Sequence, residues 1–439
     1  PEGGRIAYLA HFPTATYLYV ADVATGRSTR LGRTPLLATL VTAPQWTPDG
    51  RNLLVVVAPA NRGSVPTLGT NGIASGPQVR LTEGVARPQR VHFSLLEDPH
   101  QVALYKYYTR GQLVQVDARS GVQRNIGQPA MIRSADASPD GRYFRVTTVV
   151  EPFSYIVPHT AFGTVTELWD ANGRVVATLA SRPLRQGEEQ PTARARTESP
   201  DTARRNFAWH PRGGLTYLVT TVGSNNRATG TRWMHWRAPF GAADTARILE
   251  GSARLTNVLW GSDTATLFVA DSGAVFAIRA AEPSVRYPLG RGVTLPSAGF
   301  FGGGDDDAPG GASRADTIGV GGALEARRGV DGAQLIQVSR DGQSVLVSGV
   351  RRYGDDWHRR APRPWLDRLS ITTAARTRLL DSPADIYEDF VAALDADFNE
   401  VVVTRQSATV IEDAWYRDLA AGTTRKLTNA VDVGPELTG

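Results

Sequence analysis

The sequence has 439 residues, a formal net charge of +5 and no cysteine, so it can form neither disulfides nor thiolate metal sites. No apolar run approaches the ~18 residues that a membrane-spanning helix needs. Arginine supplies almost all of the positive charge and is mixed with acidic residues along the chain. A nucleic-acid-binding surface needs a basic stripe instead, so we expect no nucleic-acid partner.

A short turn of the Pro-Asp-Gly type recurs between apolar segments. Proline fixes the first dihedral angle of such a turn, aspartate bonds its own backbone, and glycine takes a positive φ. Residues 1–4 read as the first copy, and no strand precedes them in the sequence. The other copies lie at residues 46–50, 138–141, 209–213, 260–263, 339–342 and 394–397.

Each turn is followed by a second hairpin, so the repeating unit has four strands. The shorter spacings between copies match a propeller blade of ~40–45 residues, and the longer ones imply insertions. We therefore predict an all-β fold: a seven-bladed β-propeller of four-stranded antiparallel blades, with the first blade incomplete at the N-terminus. The alternative is an ordinary β-sandwich, but a sandwich has no reason to repeat a four-strand unit.

The prediction treats residues 1–439 as a single propeller. Within the long second blade, residues 94–110 predict a short helix. Closure of the first blade by residues 430–439 is one arrangement that would protect unpaired strand edges. The approximate blades are residues 1–33, 34–128, 129–181, 200–251, 252–291, 328–382 and 386–430. The inserted loops are residues 59–90, 182–205 and 302–327.

The sequence lacks the motifs of common catalytic and metal sites. It has no Gly-x-Ser-x-Gly elbow and no His-Glu-x-x-His pair. Residues 305–307 are three aspartates in a glycine-rich stretch, which we interpret as a solvated loop. Residues 395–400 begin like a calcium loop but lack its sixth-position glycine and twelfth-position glutamate, so we interpret them as a turn. We expect no catalytic residue, cofactor or metal in this chain.

An aromatic and charged patch follows two aspartates late in the chain. One interpretation is a solvated loop. The other is a protein-contact surface, since Trp and Arg are the usual anchors of interfaces. The candidate protein contacts are Trp357, His358, Arg359 and Arg360.

One set of segments matches a known family, and it includes residues 95–100, 152–158, 167–170, 364–367 and 387–394. Together these segments resemble the propeller of glutamyl endopeptidases, which belong to the prolyl oligopeptidase clan. The resemblance implies a propeller that, in the family, caps a C-terminal α/β-hydrolase domain with the catalytic serine, aspartate and histidine. That domain would start shortly after Gly439.

The sequence departs from the family pattern at two positions. The resemblance implies an arginine at each, but here they are Glu151 and Ala161. Arginine suits a glutamate side chain because it forms two parallel charge-assisted hydrogen bonds with the carboxylate. A glutamate at position 151 would repel an acidic substrate, so we hypothesise that glutamate recognition has been lost.

Two functions fit these observations. The first is a non-catalytic propeller, derived from a peptidase relative and acting as a protein-binding or scaffold subunit. If the chain has this first function, we consider a periplasmic or otherwise extracytoplasmic location for it. It would then be an extrinsic subunit of a membrane-bound complex. The alternative is the substrate-gating propeller portion of a serine glutamyl endopeptidase, with peptide substrates and a hydrolase domain outside this sequence.

Overall fold

The computed structural model describes residues 3–67, 95–184, 202–296, 321–329, 333–353 and 359–432. Strands dominate these residues, so the predicted all-β class is confirmed. The described residues contain a single α-helix, α1 (Pro99–Thr109), which confirms the helix predicted within 94–110. None of their helices is long and apolar enough to cross a bilayer. Most of the predicted inserted loops, the aspartates 305–307 and residues 433–439 lie outside the described residues.

The strands before residue 184 are β1 (Arg5–His11), β2 (Thr16–Asp22), β3 (Ser28–Leu36), β4 (Gln45–Trp46), β5 (Asn52–Val57), β6 (Gly111–Asp117), β7 (Gln123–Ala130), β8 (Ile132–Ala137), β9 (Tyr143–Val150), β10 (Gly163–Asp170) and β11 (Val175–Arg182).

The strands after residue 201 are β12 (Arg205–Trp209), β13 (Leu215–Val222), β14 (Ala228–Trp236), β15 (Thr245–Gly251), β16 (Leu255–Gly261), β17 (Thr266–Asp271), β18 (Ala274–Arg279), β19 (Glu282–Pro288), β20 (Val293–Thr294), β21 (Gly322–Leu324), β22 (Ala326–Arg328), β23 (Gln334–Ile336), β24 (Ser344–Arg351), β25 (Arg363–Ser370), β26 (Arg376–Asp381), β27 (Tyr387–Ala393), β28 (Glu400–Gln406), β29 (Asp413–Asp418) and β30 (Thr423–Lys426). Short 3-10 turns lie at His159–Ala161 and Ala242–Asp244.

The described strands form six sheets. Sheet 1 contains β1–β7, sheet 2 β8–β11, sheet 3 β12–β15, sheet 4 β16–β19 with β22 and β23, sheet 5 β20, β21 and β24–β26, and sheet 6 β27–β30. Sheet 1 consists of two strand groups, β1–β3 and β4–β7, which are joined by the single residue pair Leu36 and Val57. Antiparallel hairpins recur as predicted, but seven separate blades are not confirmed.

A hydroxyl group stabilises the Pro-Asp-Gly turns. Between β8 and β9, Ser138 Oγ donates to Asp140 Oδ1 at 2.5 Å and accepts from the N–H of Tyr143 at 3.0 Å. Gly141 has φ = +67°, which glycine adopts at little cost. The turn is therefore a Ser/Thr-x-Asp-Gly unit whose hydroxyl the sequence analysis overlooked. The same hydroxyl–aspartate pairing occurs between Thr47 and Asp49 and between Ser339 and Asp341.

Consecutive strand groups pack face to face through shared hydrophobic cores. In β5, Leu53, Val55 and Val57 belong to the core shared with β1–β3, whereas Leu54 and Val56 belong to the core shared with sheet 2. Side chains alternate between the two faces along a strand. Strand β5 therefore buries both faces, which explains its uninterrupted apolar sequence.

The same two-sided burial continues along the chain. In β24, Val345 and Val347 face sheet 4, and Leu346 faces sheet 6. The seven strand groups in chain order are β1–β3, β4–β7 and sheets 2 to 6. Six hydrophobic cores lie between them, one between each group and the next. Among the described residues, none of these six cores joins β1–β3 to sheet 6.

A buried polar contact also links sheets 2 and 3. Arg145 Nη2 lies 2.7 Å from Asp136 Oδ2, and Trp209 Nε1 donates to Asp136 Oδ1 at 2.5 Å. A buried charge needs partners with good geometry, because a buried charge without them is strongly destabilising. This contact therefore favours one alignment of the two sheets.

The antiparallel strands divide their connections between two ends of the sheets. We call the end with the Pro-Asp-Gly turns the turn rim and the opposite end the loop rim. Turns of neighbouring sheets meet at the turn rim, where Arg340 Nε lies 3.0 Å from Asp397 Oδ2. The loop rim carries α1, the loop 151–162 between β9 and β10, and the connection between β24 and β25.

The close approach of sheets 1 and 2 predicts a difference between two glycine substitutions. Gly173 has φ = +78°, and a Cβ atom there would lie 2.0 Å from Gly127 N, whereas Gly141 has no atom within 4 Å of its Cβ position. Both alanine variants lose about 1–2 kcal/mol because of the left-handed backbone. Gly173→Ala loses about 1–3 kcal/mol more, because the methyl group separates the sheets. Denaturant unfolding measures both losses, and equal losses would contradict the close contact.

A histidine pair at the turn rim predicts a pH dependence of stability. His210 stacks on His235 with 4.0 Å between ring centroids, and His210 Nδ1 accepts from the N–H of Arg212. Burial, with the nearby charges of His235 and Arg212, lowers the pKa of His210 to about 4 from 6.5. Between these values the unfolded chain binds more protons than the folded chain, so the free energy of unfolding rises from pH 4 to 6.5.

His210→Asn keeps an acceptor near the Nδ1 position and removes the titrating ring. We expect this variant to flatten the rise in unfolding free energy between pH 4 and 6.5, measured by denaturant titration. His11→Asn, at an exposed position, is the control and leaves the rise unchanged. An undiminished rise in His210→Asn would contradict the assignment.

Candidate functional site

Two clusters on the loop rim combine positive charge, aromatic rings and exposure. The first, which we call the aromatic cluster, lies where α1 meets the loop between β9 and β10. It contains Tyr105, Phe153, Phe162 and the ion pair of Lys106 with Glu151.

Helix α1 positions one side of the aromatic cluster. Asp98 caps its N-terminus by accepting from the N–H of Gln101 at 2.8 Å, and Pro99 occupies the first turn, where its missing N–H costs nothing. The helix ends at Thr109, and the N–H of the following residue, Arg110, donates to Lys106 O. The cap and the proline, both visible in the sequence, fix the start of the helix that presents Tyr105 and Lys106.

The three aromatic rings pack against one another. Ring centroids lie 5.3 Å apart for Tyr105 and Phe153, 5.6 Å for Tyr105 and Phe162, and 5.1 Å for Phe153 and Phe162. Burial raises the pKa of Tyr105 to about 12, although the charge of Arg133 acts in the opposite direction. The Tyr105 hydroxyl is buried and has no hydrogen-bond partner among the described residues. Tyr105 is therefore neutral at ordinary pH.

The position expected to repel acidic ligands carries a neutralising partner. Glu151 Oε1 lies 2.5 Å from Lys106 Nζ, and the two side chains are 59% and 40% exposed. Sequence reasoning treated Glu151 as a bare carboxylate and missed this lysine. Ala161 lies in a 3-10 turn near the end of the same loop. Val150 and Gly163 pair at the base of this loop, so Glu151 and Ala161 lie on its two opposite sides.

Exposed apolar side chains lie on the same helix and loop as the aromatic cluster. Tyr108 is 45% exposed, Tyr155 47% and Ile156 67%. Arg62 stacks on Tyr107 with 3.8 Å between its guanidinium carbon and the ring centroid. These residues add apolar surface to a charged rim, and such mixed surfaces are typical of contact sites.

The second cluster, which we call the arginine pocket, is an open pocket of about 310 Å³ at the loop-rim ends of β24, β25 and β26. The Arg360 guanidinium carbon lies 5.3 Å from the ring centroid of Tyr353. Three arginines and one aspartate give the lining a positive balance. The lining residues are Arg351, Tyr353, Arg360, Arg363, Asp381, Ser382 and Ala384.

The structure places only part of the predicted contact patch. Arg360 lines the arginine pocket, and Arg359 lies next to it in the chain and is exposed. Trp357 and His358 lie outside the described residues. Sequence reasoning missed the contributions of β24 and β26, because spacing along the chain does not reveal which strand ends meet. The described residues contain no group of three or more His, Asp or Glu side chains suited to a metal ion.

Comparisons with known proteins relate the chain to peptidases. No family model matches it. It is 32% identical over 208 residues to a probable chloroplastic glutamyl endopeptidase of Oryza sativa subsp. japonica, a match that covers 46% of this chain and 21% of that protein. A probable chloroplastic glutamyl endopeptidase of Arabidopsis thaliana is 30% identical over 204 residues, covering 42% of this chain and 21% of that protein.

A solved propeller also aligns with the chain. The alignment with the β-propeller domain of the Trilobed protease from Pyrococcus furiosus covers 98% of this chain and 93% of that chain, with a TM-score of 0.42 and 10% identity. The resemblance to glutamyl endopeptidases drawn from the sequence is confirmed by the two curated relatives. The chain is therefore similar to glutamyl endopeptidases over a little less than half of its length, and the match spans about a fifth (21%) of those relatives' length.

Arginine at positions 151 and 161 should increase the affinity of the chain for a glutamate-containing peptide. Glu151→Arg with Ala161→Arg removes the carboxylate, frees Lys106 and supplies two guanidinium groups to one loop. We expect about tenfold tighter binding of a glutamate-containing peptide, because charge-assisted hydrogen bonds contribute about 1.5–3 kcal/mol. Fluorescence anisotropy with a labelled peptide measures this change.

Glu151→Gln is the matched control, since it frees Lys106 without adding an arginine. Its affinity for the glutamate peptide should lie between that of the unchanged chain and that of the double variant. The same peptide with glutamine in place of glutamate should show no gain. If the double variant bound the glutamate peptide no better than the unchanged chain, these positions would not govern glutamate recognition.

Proposed function

We propose that this chain forms a seven-bladed β-propeller, with the two strand groups of sheet 1 as separate blades, and that it binds polypeptide at its loop rim without catalysing a reaction itself. The supporting observation is the contrast between the two rims. The turn rim carries the Ser/Thr-x-Asp-Gly turns, whose hydroxyl, carboxylate and backbone groups bond one another. The loop rim carries α1 and the loop 151–162, which present the exposed side chains of Tyr108, Tyr155 and Ile156.

Polypeptide suits this surface better than a small metabolite. The exposed side chains of Tyr108, Tyr155 and Ile156 are spread over two elements, and the arginine pocket is separate from them. An extended chain can contact such dispersed sites, and exposed Tyr and Arg are favourable anchors for it. The relationship to glutamyl endopeptidases, whose name denotes action on peptide bonds, supports the same class of ligand.

This binding fits two roles. In the first, the propeller is a scaffold subunit that holds a protein partner, and the altered positions Glu151 and Ala161 favour this role. In the second, it is the substrate-gating portion of a serine peptidase, and the identity to the two curated relatives favours that role.

The intact mass of the polypeptide from its natural source distinguishes the scaffold role from the peptidase role. A mass near 47.3 kDa supports the scaffold, and a mass larger by a domain of roughly 250 residues supports the peptidase. The extracytoplasmic location and the membrane-bound host complex stay predictions.

A comparison of the two rims tests polypeptide binding. Tyr155→Ser with Ile156→Ser removes exposed apolar surface from the loop rim, and we expect it to weaken binding of labelled, permanently unfolded carboxymethylated lactalbumin about tenfold or more. Fluorescence anisotropy gives the affinity.

The matched control removes equally exposed apolar surface from the turn rim. Val23 and Val122 are 52% and 67% exposed, and Val23→Ser with Val122→Ser should leave the affinity within about twofold. All four positions are exposed, so both double variants should fold. Equal effects of the two variants, or no binding by the unchanged chain, would contradict a loop-rim site.

A further inference from the structure

The arginine pocket holds guanidinium groups that the described part of the chain leaves largely unused. Within that part, Arg360 forms no hydrogen bond or ion pair and only stacks on Tyr353. Arg363 donates Nη2 to Ala384 O at 2.5 Å. Most of the N–H groups of these two arginines therefore remain available to a ligand.

The guanidinium of Arg360 lies within cation–π distance of an aromatic ring, with 5.3 Å between its central carbon and the ring centroid of Tyr353. Its N–H groups lie in one rigid plane and form a fork. This planar fork matches a carboxylate, which it binds through two parallel hydrogen bonds. Ser382 does not compete, because its Oγ donates to Ile386 O and accepts from the N–H of Glu388.

The charges of the described lining favour a negatively charged ligand. Among the described residues, Asp381 is the one acidic residue that lines the pocket. Asp381 Oδ1 lies 3.2 Å from Nη1 of Arg378, which does not line the pocket. The distance from Asp381 Oδ1 to Arg351 Nη2 is 3.8 Å, too long for a strong hydrogen bond. Asp381 is therefore paired mainly with Arg378, and the described lining keeps a positive balance.

The size of the pocket limits the ligand further. A volume of about 310 Å³ is at the small end of the range for ligand pockets. It accommodates one side chain or one chain terminus, and it is too small for a folded domain.

We propose that the arginine pocket binds a carboxylate of the polypeptide held at the loop rim, from either an acidic side chain or the free C-terminus. This inference rests on the proposed polypeptide binding and adds its chemical specificity. Arg360 supplies the fork, Arg363 a second donor, and Arg351 long-range attraction.

Three labelled peptides of one sequence distinguish the two sources of the carboxylate. The first has one glutamate and an amidated C-terminus, the second has glutamine and an amidated C-terminus, and the third has glutamine and a free C-terminus. About tenfold tighter binding of the first than of the second assigns the pocket to an acidic side chain. The same gain in the third assigns it to a C-terminus. Equal affinity for all three would overturn the proposal.

Substitutions locate the preference in the pocket. Arg360→Ala should abolish the preference for the carboxylate, and Arg360→Lys should keep part of it, because lysine retains the charge but not the fork. Arg119→Ala is the control, because Arg119 is an exposed arginine on the turn rim. An undiminished preference in Arg360→Ala would overturn the assignment to this pocket.

The same titrations separate the two proposals. If the amidated glutamine peptide binds and the carboxylate adds nothing, the carboxylate site is wrong and loop-rim binding stands. If Tyr155→Ser with Ile156→Ser leaves the affinity for all three peptides unchanged while Arg360→Ala removes the preference, the pocket stands and the apolar surface is wrong. If no peptide binds, both are wrong.

Discussion

The burial of both faces of the middle strands is the constraint on which the rest of the structure depends. In β5, the odd-numbered residues Leu53 and Val55 serve one core, and Leu54 and Val56 serve the next. A shift of one residue in register would exchange the two faces, so each sheet is held by its neighbours on both sides. This stacking in chain order gathers the Ser/Thr-x-Asp-Gly turns at one rim and places α1 and the loop 151–162 at the other.

The loop rim owes its chemistry to this arrangement. Lys106 on the connection between β5 and β6 reaches Glu151 on the connection between β9 and β10 only because sheets 1 and 2 lie face to face. Three strand ends within sheet 5 bring together the lining of the arginine pocket. In each cluster a cation lies beside an aromatic ring, Lys106 beside Phe153 and Arg360 beside Tyr353.

Local features of the fold were predictable from the sequence, and contacts between distant segments were not. The turn at Asp140 and Gly141 and the helix cap at Asp98 depend on neighbouring residues, so residue order alone reveals them. The pair of Leu36 with Val57, which joins two strand groups into one sheet, depends on tertiary packing. For the same reason the sequence indicated Arg360 but not its neighbours Arg351 and Arg363, and it indicated Glu151 without its partner Lys106.

Closure of the stacked sheets into a ring is the central claim, and distances between spin labels test it most directly. The chain has no cysteine, so labels attach only at introduced pairs. Ala24, Arg119 and Ala420 are exposed and occupy equivalent turns in β1–β3, β4–β7 and sheet 6. A ring predicts that the distance for Ala24→Cys with Ala420→Cys, measured by double electron–electron resonance, is close to that for Ala24→Cys with Arg119→Cys, which labels adjacent strand groups. A distance several times longer for the first pair would contradict the ring.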